Sequence, residues 1–549
     1  MRLRTSSILL SVALAIPGFA AESPAAAQVK VHIRIDAPDA LEVSYELPAN
    51  CPKLPFQRDD DNYRAIRATW QSRDTCGAAS DGVLTHNGAA CRPRFRVPAS
   101  TNKVVGYPGA FPIGEAIYVH TSKYAVTGEC GSVSYHFTAP GSVALQGKVH
   151  PLRATAEGEA GGDLAALLMP RDQPPSDGLP AYYDPKLSAV AVAQIRQVME
   201  GTIAFYRKAM PDAQFRMPIL AAGLASEPGG PNIGGDAADI MRFTFFNWPS
   251  QPAPDIQRMM TKLVAHETSH RFQLRDAVEP YPEARLIHEG GGEFLRWVVS
   301  VKKGWLTHAD AARELDEKLA ECMIGVGQRS WGELPGGEVA ANYYHYSCGL
   351  PAYVYTLAAR QGKGSALARI NDFYRDLSLG AAPRFDHALE CGATRHCQAR
   401  WLVQLLGKSV PMTIAWDNLL VSNRLAIRAA PTRQQRDAMM KSALVQLVKD
   451  DCGGGSSTTP TADGMIVDSL KACKAVRKEA YVTRVEDVPI FGDERALSLV
   501  AGACAERAEV KLGMKNGETL AMPCARAYVA RSQFYQVDIE RVLSRLERE

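Results

Sequence analysis

No stretch of this 549-residue chain reaches the run of about 18 apolar residues that a membrane-spanning helix needs. There is no long basic run either. The 62 Lys and Arg nearly balance 59 Asp and Glu, for a net charge of +3, which argues against nucleic acid as a partner. No internal repeat is evident. No Cys-x-x-Cys occurs, so the 12 cysteines do not carry the spacing of a structural zinc site. What is present is the balance of a soluble globular protein, 46% apolar and 22% charged, long enough for about two to four domains.

Arg2 and Arg4 precede a short apolar segment, Ile8 to Ile16, and Gly18-Phe19-Ala20 offers the small residues that a signal peptidase reads. A signal peptide is expected over residues 1–20, with cleavage near Ala20 or Ala21 and Ala25-Ala26-Ala27 as a second candidate. This predicts a periplasmic or secreted protein with no membrane span. The even number of cysteines suits an oxidising compartment. They fall in three groups of four, Cys51 to Cys130, Cys322 to Cys397 and Cys452 to Cys524. That grouping predicts disulfides kept within domains, with Cys391 and Cys397 close enough for a local loop.

Residues 28–150 read as a β-rich domain. Val29, Val31, Ile33 and Ile35 alternate with polar residues, as do Leu41, Val43, Tyr45 and Leu47. Residues 151–182, with Gly161-Gly162 and several prolines, read as a linker. Residues 180–450 read as a mixed α/β domain with a helical extension. It opens with a helix over Pro185 to Met210 and strands over Phe215 to Ala222 and Ile240 to Phe246, and it ends in helices. Cys452 to Thr459 has the composition of a flexible linker. Residues 461–549 form a small C-terminal module, with a helix over Leu497 to Ala505 and a hairpin at Asn516-Gly517. The whole is a multidomain α+β protein.

The chemistry concentrates in residues 256–297. Met259, Met260, Leu263, Val264 and Phe272 recur at helical spacing, and the same helix carries His266-Glu267-Thr268-Ser269-His270. Two histidines four apart share a helix face and can bind one Zn²⁺, with Glu267 beside them to take a proton from water. Eighteen residues further on, Glu289 is the candidate third ligand. Glu293, one turn later, is placed to orient a ligating histidine, or to be the ligand itself in place of Glu289. His288 is expected to be solvated or to lie behind the ligands. Gly290-Gly291-Gly292 suggests close approach of a neighbouring helix or of substrate; the alternative is a helix that starts after Gly292. A long helix is expected over Glu338 to Ala358, with Pro351 kinking it or starting a new one. It holds Tyr343-Tyr344-His345-Tyr346, any of whose phenols is a candidate donor to an oxyanion.

At these residues the chain resembles the gluzincin metallopeptidases, in particular the glycyl aminopeptidase and aminopeptidase N families. His266, Glu267, His270, Glu289 and Gly290 match the family pattern of H-E-x-x-H, 18 residues, then Glu-Gly. Tyr346-Ser347-Cys348-Gly349 matches a later Tyr-x-x-Gly and singles out Tyr346. The resemblance implies a thermolysin-like zinc catalytic domain, one Zn²⁺ per chain, peptide or protein substrates, and a PDZ-like C-terminal module able to bind peptide C-termini. It implies a zinc-dependent peptidase, with aminopeptidase action first and endopeptidase action or a catalytically inactive binding protein as alternatives. The chain departs from the family at the strand that holds the substrate's amine. Gly234-Gly235-Asp236-Ala237-Ala238-Asp239 stands where Gly-x-Met-Glu-Asn is expected, leaving Asp236 and Asp239 as candidates for that role.

Overall fold

The computed structural model describes residues 28–548, apart from 89–90, 103–106, 172–179, 227–229, 279–282, 342, 361–363, 390–409, 454–455, 462, 470–472, 477–478 and 532. The expected signal peptide, the Cys391–Cys397 loop and a helix expected over Gln398 to Leu406 lie outside the described residues. The chain divides into two compact units, one running to Gln173 and one from Pro174 onward, with residues 101–103 joining the second.

The first unit is built on a nine-stranded sheet. Strands β1 (Gln28–Ala37) and β2 (Ala40–Glu46) form an antiparallel hairpin. The alternation read in the sequence buries Val29, Val31, Ile33, Leu41, Val43 and Tyr45 on the inner face. A long strand, β3 (Ser132–Leu145), pairs parallel with β1 and antiparallel with β4 (Lys148–Glu157) and β5 (Ala165–Met169). The stretch expected to be a linker therefore supplies one whole strand of this sheet and most of another. Its glycines form only a short turn over Glu159–Asp163. The five residues of β5, Ala-Ala-Leu-Leu-Met, are buried throughout, so burial outweighs the flexible composition around them.

In the second unit, strands β6 (Ala181–Tyr183), β7 (Ile219–Ala225), β8 (Asn232–Asp236) and β9 (Ile240–Phe246) form a sheet in the order β6-β7-β9-β8. Only the edge strand β8 is antiparallel to its neighbour. Helix α1 (Ala189–Ala209) packs on α2 (Pro254–His270), and a large core joins the sheet to the helices that follow. A single wide π-helical turn, Leu286–Gly290, runs into α3 (Gly291–Lys302). Helix α4 (His308–Val326) is capped by Thr307, whose hydroxyl accepts the Asp310 N–H. The long helix expected over Glu338 to Ala358 is broken into α5 (Gly336–Ala341), α6 (Tyr344–Ser347) and α7 (Gly349–Ala359). Tyr343 breaks it by adopting φ +55, and Pro351 falls in the first turn of α7, where its missing N–H is tolerated.

Helix α8 (Arg433–Cys452) leads into a six-stranded sheet with a core of its own. Residues Ser456–Pro460, read as flexible, pair with Met465–Ser469. The hairpin turn sits at Asn516-Gly517, with Gly517 at φ +87. The chain then returns: Tyr535, Val537, Val542, Leu543 and Leu546 join the core built on helices α1 to α4. Among the described residues five disulfides close, Cys51–Cys130, Cys76–Cys91, Cys322–Cys348, Cys452–Cys473 and Cys504–Cys524. No helix is long and apolar enough to cross a membrane among these residues.

Candidate metal centre

Helix α2 begins with Pro254, where no N–H is needed, and carries Asp255 at its positive end. Met260 and Val264 pack into the core, and the whole last turn is buried. Thr268 and Ser269 survive that burial because their hydroxyls donate back to the carbonyls of Val264 and Ala265.

This turn presents His266 and His270 with their Nε2 atoms 2.9 Å apart. Glu289, from the π-turn, places Oε2 3.4 Å from each of them. Tetrahedral zinc with bonds of roughly 2.0–2.1 Å would hold its ligand atoms about 3.4 Å apart, so the triangle fits such an ion. Two imidazoles and a carboxylate aimed at one point call for a cation among them. Glu293 lies on the far side of His266, its Oε1 2.9 Å from Nδ1. Glu289 and not Glu293 therefore faces the shared point. His270 Nδ1 is 2.6 Å from Gln273 Oε1, and Gln273 in turn donates to the Ile287 carbonyl and the Tyr374 hydroxyl. Both rings thus have their outer nitrogen occupied, which fixes their orientation. His288 stacks on His270 with centroids 4.1 Å apart.

The triple glycine belongs to the structure and does not precede it. A β-carbon on Gly290 would meet the backbone of Gly349 at 2.9 Å, and one on Gly349 would meet Gly290 at 2.4 Å. The glycine of Tyr-x-x-Gly is thus what lets the tyrosine segment lie against the Glu289 turn. A β-carbon on Gly292 would stand 2.6 Å from the His270 ring. The close approach is made by neighbouring protein.

The charges act on one another. Burial works to lower His266, but the carboxylates of Glu289 and Glu293 outweigh it and push the imidazole up to about 10. The two imidazoles overcome the burial of Glu289 and hold its carboxyl far below the usual range. Burial raises Glu267, and the nearby carboxylates of Asp236 and Glu289 add to the rise. Burial also raises Tyr346, whose hydroxyl faces Glu289 and whose ring lies 5.7 Å from that of His266. The phenol therefore keeps its proton. Edge strand β8 runs beside Glu267: a β-carbon on Gly235 would touch its side chain at 3.1 Å. Asp236 is ion-paired with Arg242 at 2.8 Å, and Asp239 with Arg271 at 2.9 Å.

The fold has a solved counterpart. An aminopeptidase N family protein from Idiomarina loihiensis matches over 94% of this chain and 100% of its own, at a TM-score of 0.55 and 12% identity. The fold is that of an aminopeptidase N family protein. An M1 zinc metallopeptidase variant from Deinococcus radiodurans aligns over 70% of this chain and 95% of its own, at a TM-score of 0.38 and 13% identity. No family model matches the sequence, and neither does any curated protein.

Within this aminopeptidase N fold, the sequence pattern located His266, Glu267, His270, Glu289, Glu293 and Tyr346, and the fold gathers all of them. Of the two aspartates, Asp236 is near enough to act on Glu267, while Asp239 is tied to Arg271 just past the end of α2. Sequence reasoning missed Gln273. Gln273 lies past the end of α2, in the turn whose N–H returns to the His270 carbonyl, so helical spacing gave no signal for it.

Proposed function

We propose that this chain is a zinc-dependent peptidase. The observation that carries the reading is the convergence of His266 Nε2, His270 Nε2 and Glu289 Oε2 on one point at zinc-like separations. A zinc ion held by these three residues would polarise the scissile carbonyl and acidify an attacking water. Glu267, buried and with its carboxyl raised, is placed to take a proton from an attacking water and would pass it to the leaving amine. Tyr346, held protonated, donates its O–H to the oxygen on which negative charge develops. Glu293 and Gln273 keep the two imidazoles aimed.

Aminopeptidase action needs a carboxylate to receive the substrate's free amine. Asp236 is the candidate near Glu267, but its charge is already taken by Arg242. That pairing favours cleavage at internal bonds over removal of the first residue. The five disulfides support a periplasmic or extracellular setting. We also propose that the C-terminal module is PDZ-like and binds peptide C-termini along a sheet edge.

Metal analysis with a peptide-library digest tests this reading. One zinc per chain is expected, with Glu267→Gln keeping the zinc and losing about 10²- to 10⁴-fold in turnover. Full activity in that variant would remove Glu267 as the base. A ladder trimmed from free N-termini would instead establish aminopeptidase action. Zinc bound without any cleavage would point to a binding protein on this fold.

A further inference from the structure

The ionic contacts behind His266 form a closed ring. Lys262 and His266 stand one turn apart on the same face of α2. Lys262 pairs with Glu314 of α4. Glu314 receives both terminal nitrogens of Arg296 from α3, at 2.8 and 2.9 Å. Arg296 donates to Glu293 Oε2, and Glu293 Oε1 lies 2.9 Å from His266 Nδ1. The path leaves α2 at Lys262, crosses two helices and returns to α2 at the histidine.

Three features set this ring apart from an ordinary surface pair. Arg296 is 1% exposed and Glu293 5%, so the Arg296–Glu293 bond is screened little by solvent. The two cations and two carboxylates cancel, so no net charge is left buried behind the histidine. Each oxygen of Glu293 also has its own partner. The carboxylate cannot rotate away from His266 without giving up the guanidinium, and the guanidinium is itself held by the two-pronged grip of Glu314.

We infer that Arg296 and Glu314 are positioning residues for the metal: they lock Glu293, which fixes the His266 ring with Nε2 turned toward the ion. Neither touches the metal point. This rests on the zinc reading of the site and adds to it a dependence of zinc affinity on residues from a third helix.

The test is the zinc dissociation constant of the full chain, stripped and titrated against a competing chromophoric chelator. Arg296→Met and Glu314→Gln are each expected to weaken zinc binding about 10- to 100-fold in protein that melts as a folded species. Glu314→Gln, at the more accessible end of the ring, serves if Arg296→Met does not fold. A purely structural ring would lower the melting temperature and leave the zinc constant of the folded protein unchanged. That result would overturn the inference. Failure of the unaltered chain to bind zinc would instead refute the metal reading beneath it.

Discussion

Replacing Gly292 by alanine sets two effects of opposite sign against each other. Gly292 lies in the first turn of α3. Helix propensity alone would make alanine stabilising there by up to about 1 kcal/mol. The new β-carbon, however, would stand 2.6 Å from His270 Cε1, 3.1 Å from its Nδ1 and 3.2 Å from His266 Cε1. Carbon atoms rest at about 3.5–4.0 Å, so the first contact overlaps by roughly 1 Å. His270 has no easy way to yield, because Gln273 holds its Nδ1 and His288 covers its face. Metal ligands tolerate errors of only about 0.2 Å. The ring must therefore leave its seat, and zinc affinity is expected to fall about 10- to 100-fold, equivalent to about 1.4–2.8 kcal/mol. Competition titration of the stripped protein gives the constant, and thermal melts with and without zinc separate it from folding. Gly502, exposed and with nothing near its missing β-carbon, supplies the control: Gly502→Ala gains the propensity term and leaves zinc untouched. Zinc binding by Gly292→Ala within threefold of the parent would refute the reasoning.

Two further perturbations address other parts of the molecule. Burial pushes the Asp316 carboxyl up to about 7, against the effect of the Val537 N–H that it accepts. A folded-state value above the unfolded one of about 3.9 gives stability in acid that is lost as the pH rises through 7. Asp316→Asn keeps the acceptor without the charge, so it is expected to raise stability at pH 8, on the order of 2 kcal/mol, and to change little at pH 4. Equal melting shifts at both pH values would contradict this. Removing the Cys322–Cys348 bond as a double serine variant is expected to cost about 3.5 kcal/mol from the 26-residue separation. It should also lower turnover with zinc content retained, since Cys348 lies two residues from Tyr346. Unchanged turnover in folded protein would show that the bond does not position the tyrosine.

The residues of the candidate metal centre could be picked out because their signal is local. His266, Glu267 and His270 sit on one strongly periodic helix, and Glu293 follows Glu289 by a single turn. The ring through Arg296 and Glu314 was not legible, since it joins three helices whose packing no spacing in the chain records. The break at Tyr343 was missed for a different reason. A left-handed tyrosine is uncommon, so composition alone reads straight through it as helix. In the first unit, Gly161-Gly162 and the nearby prolines outweighed Ala165 to Met169 in the reading. Five apolar residues are too few to show a period, and only their partners β3 and Ala116–His120 make them a strand.

The Cys322–Cys348 bond fastens α4 to the start of α7, beside the seat of Tyr346, and both cysteines are buried, at 0% and 2% exposure. Once the surrounding core has closed, a reductant has little access to it. The bond must therefore form while the chain is still open, and the oxidant present at that moment decides whether the tyrosine is anchored. A copy that closed this core without an oxidant would keep the His266, His270 and Glu289 cluster but lack the staple beside Tyr346, so the order of the two events matters to how that segment is held.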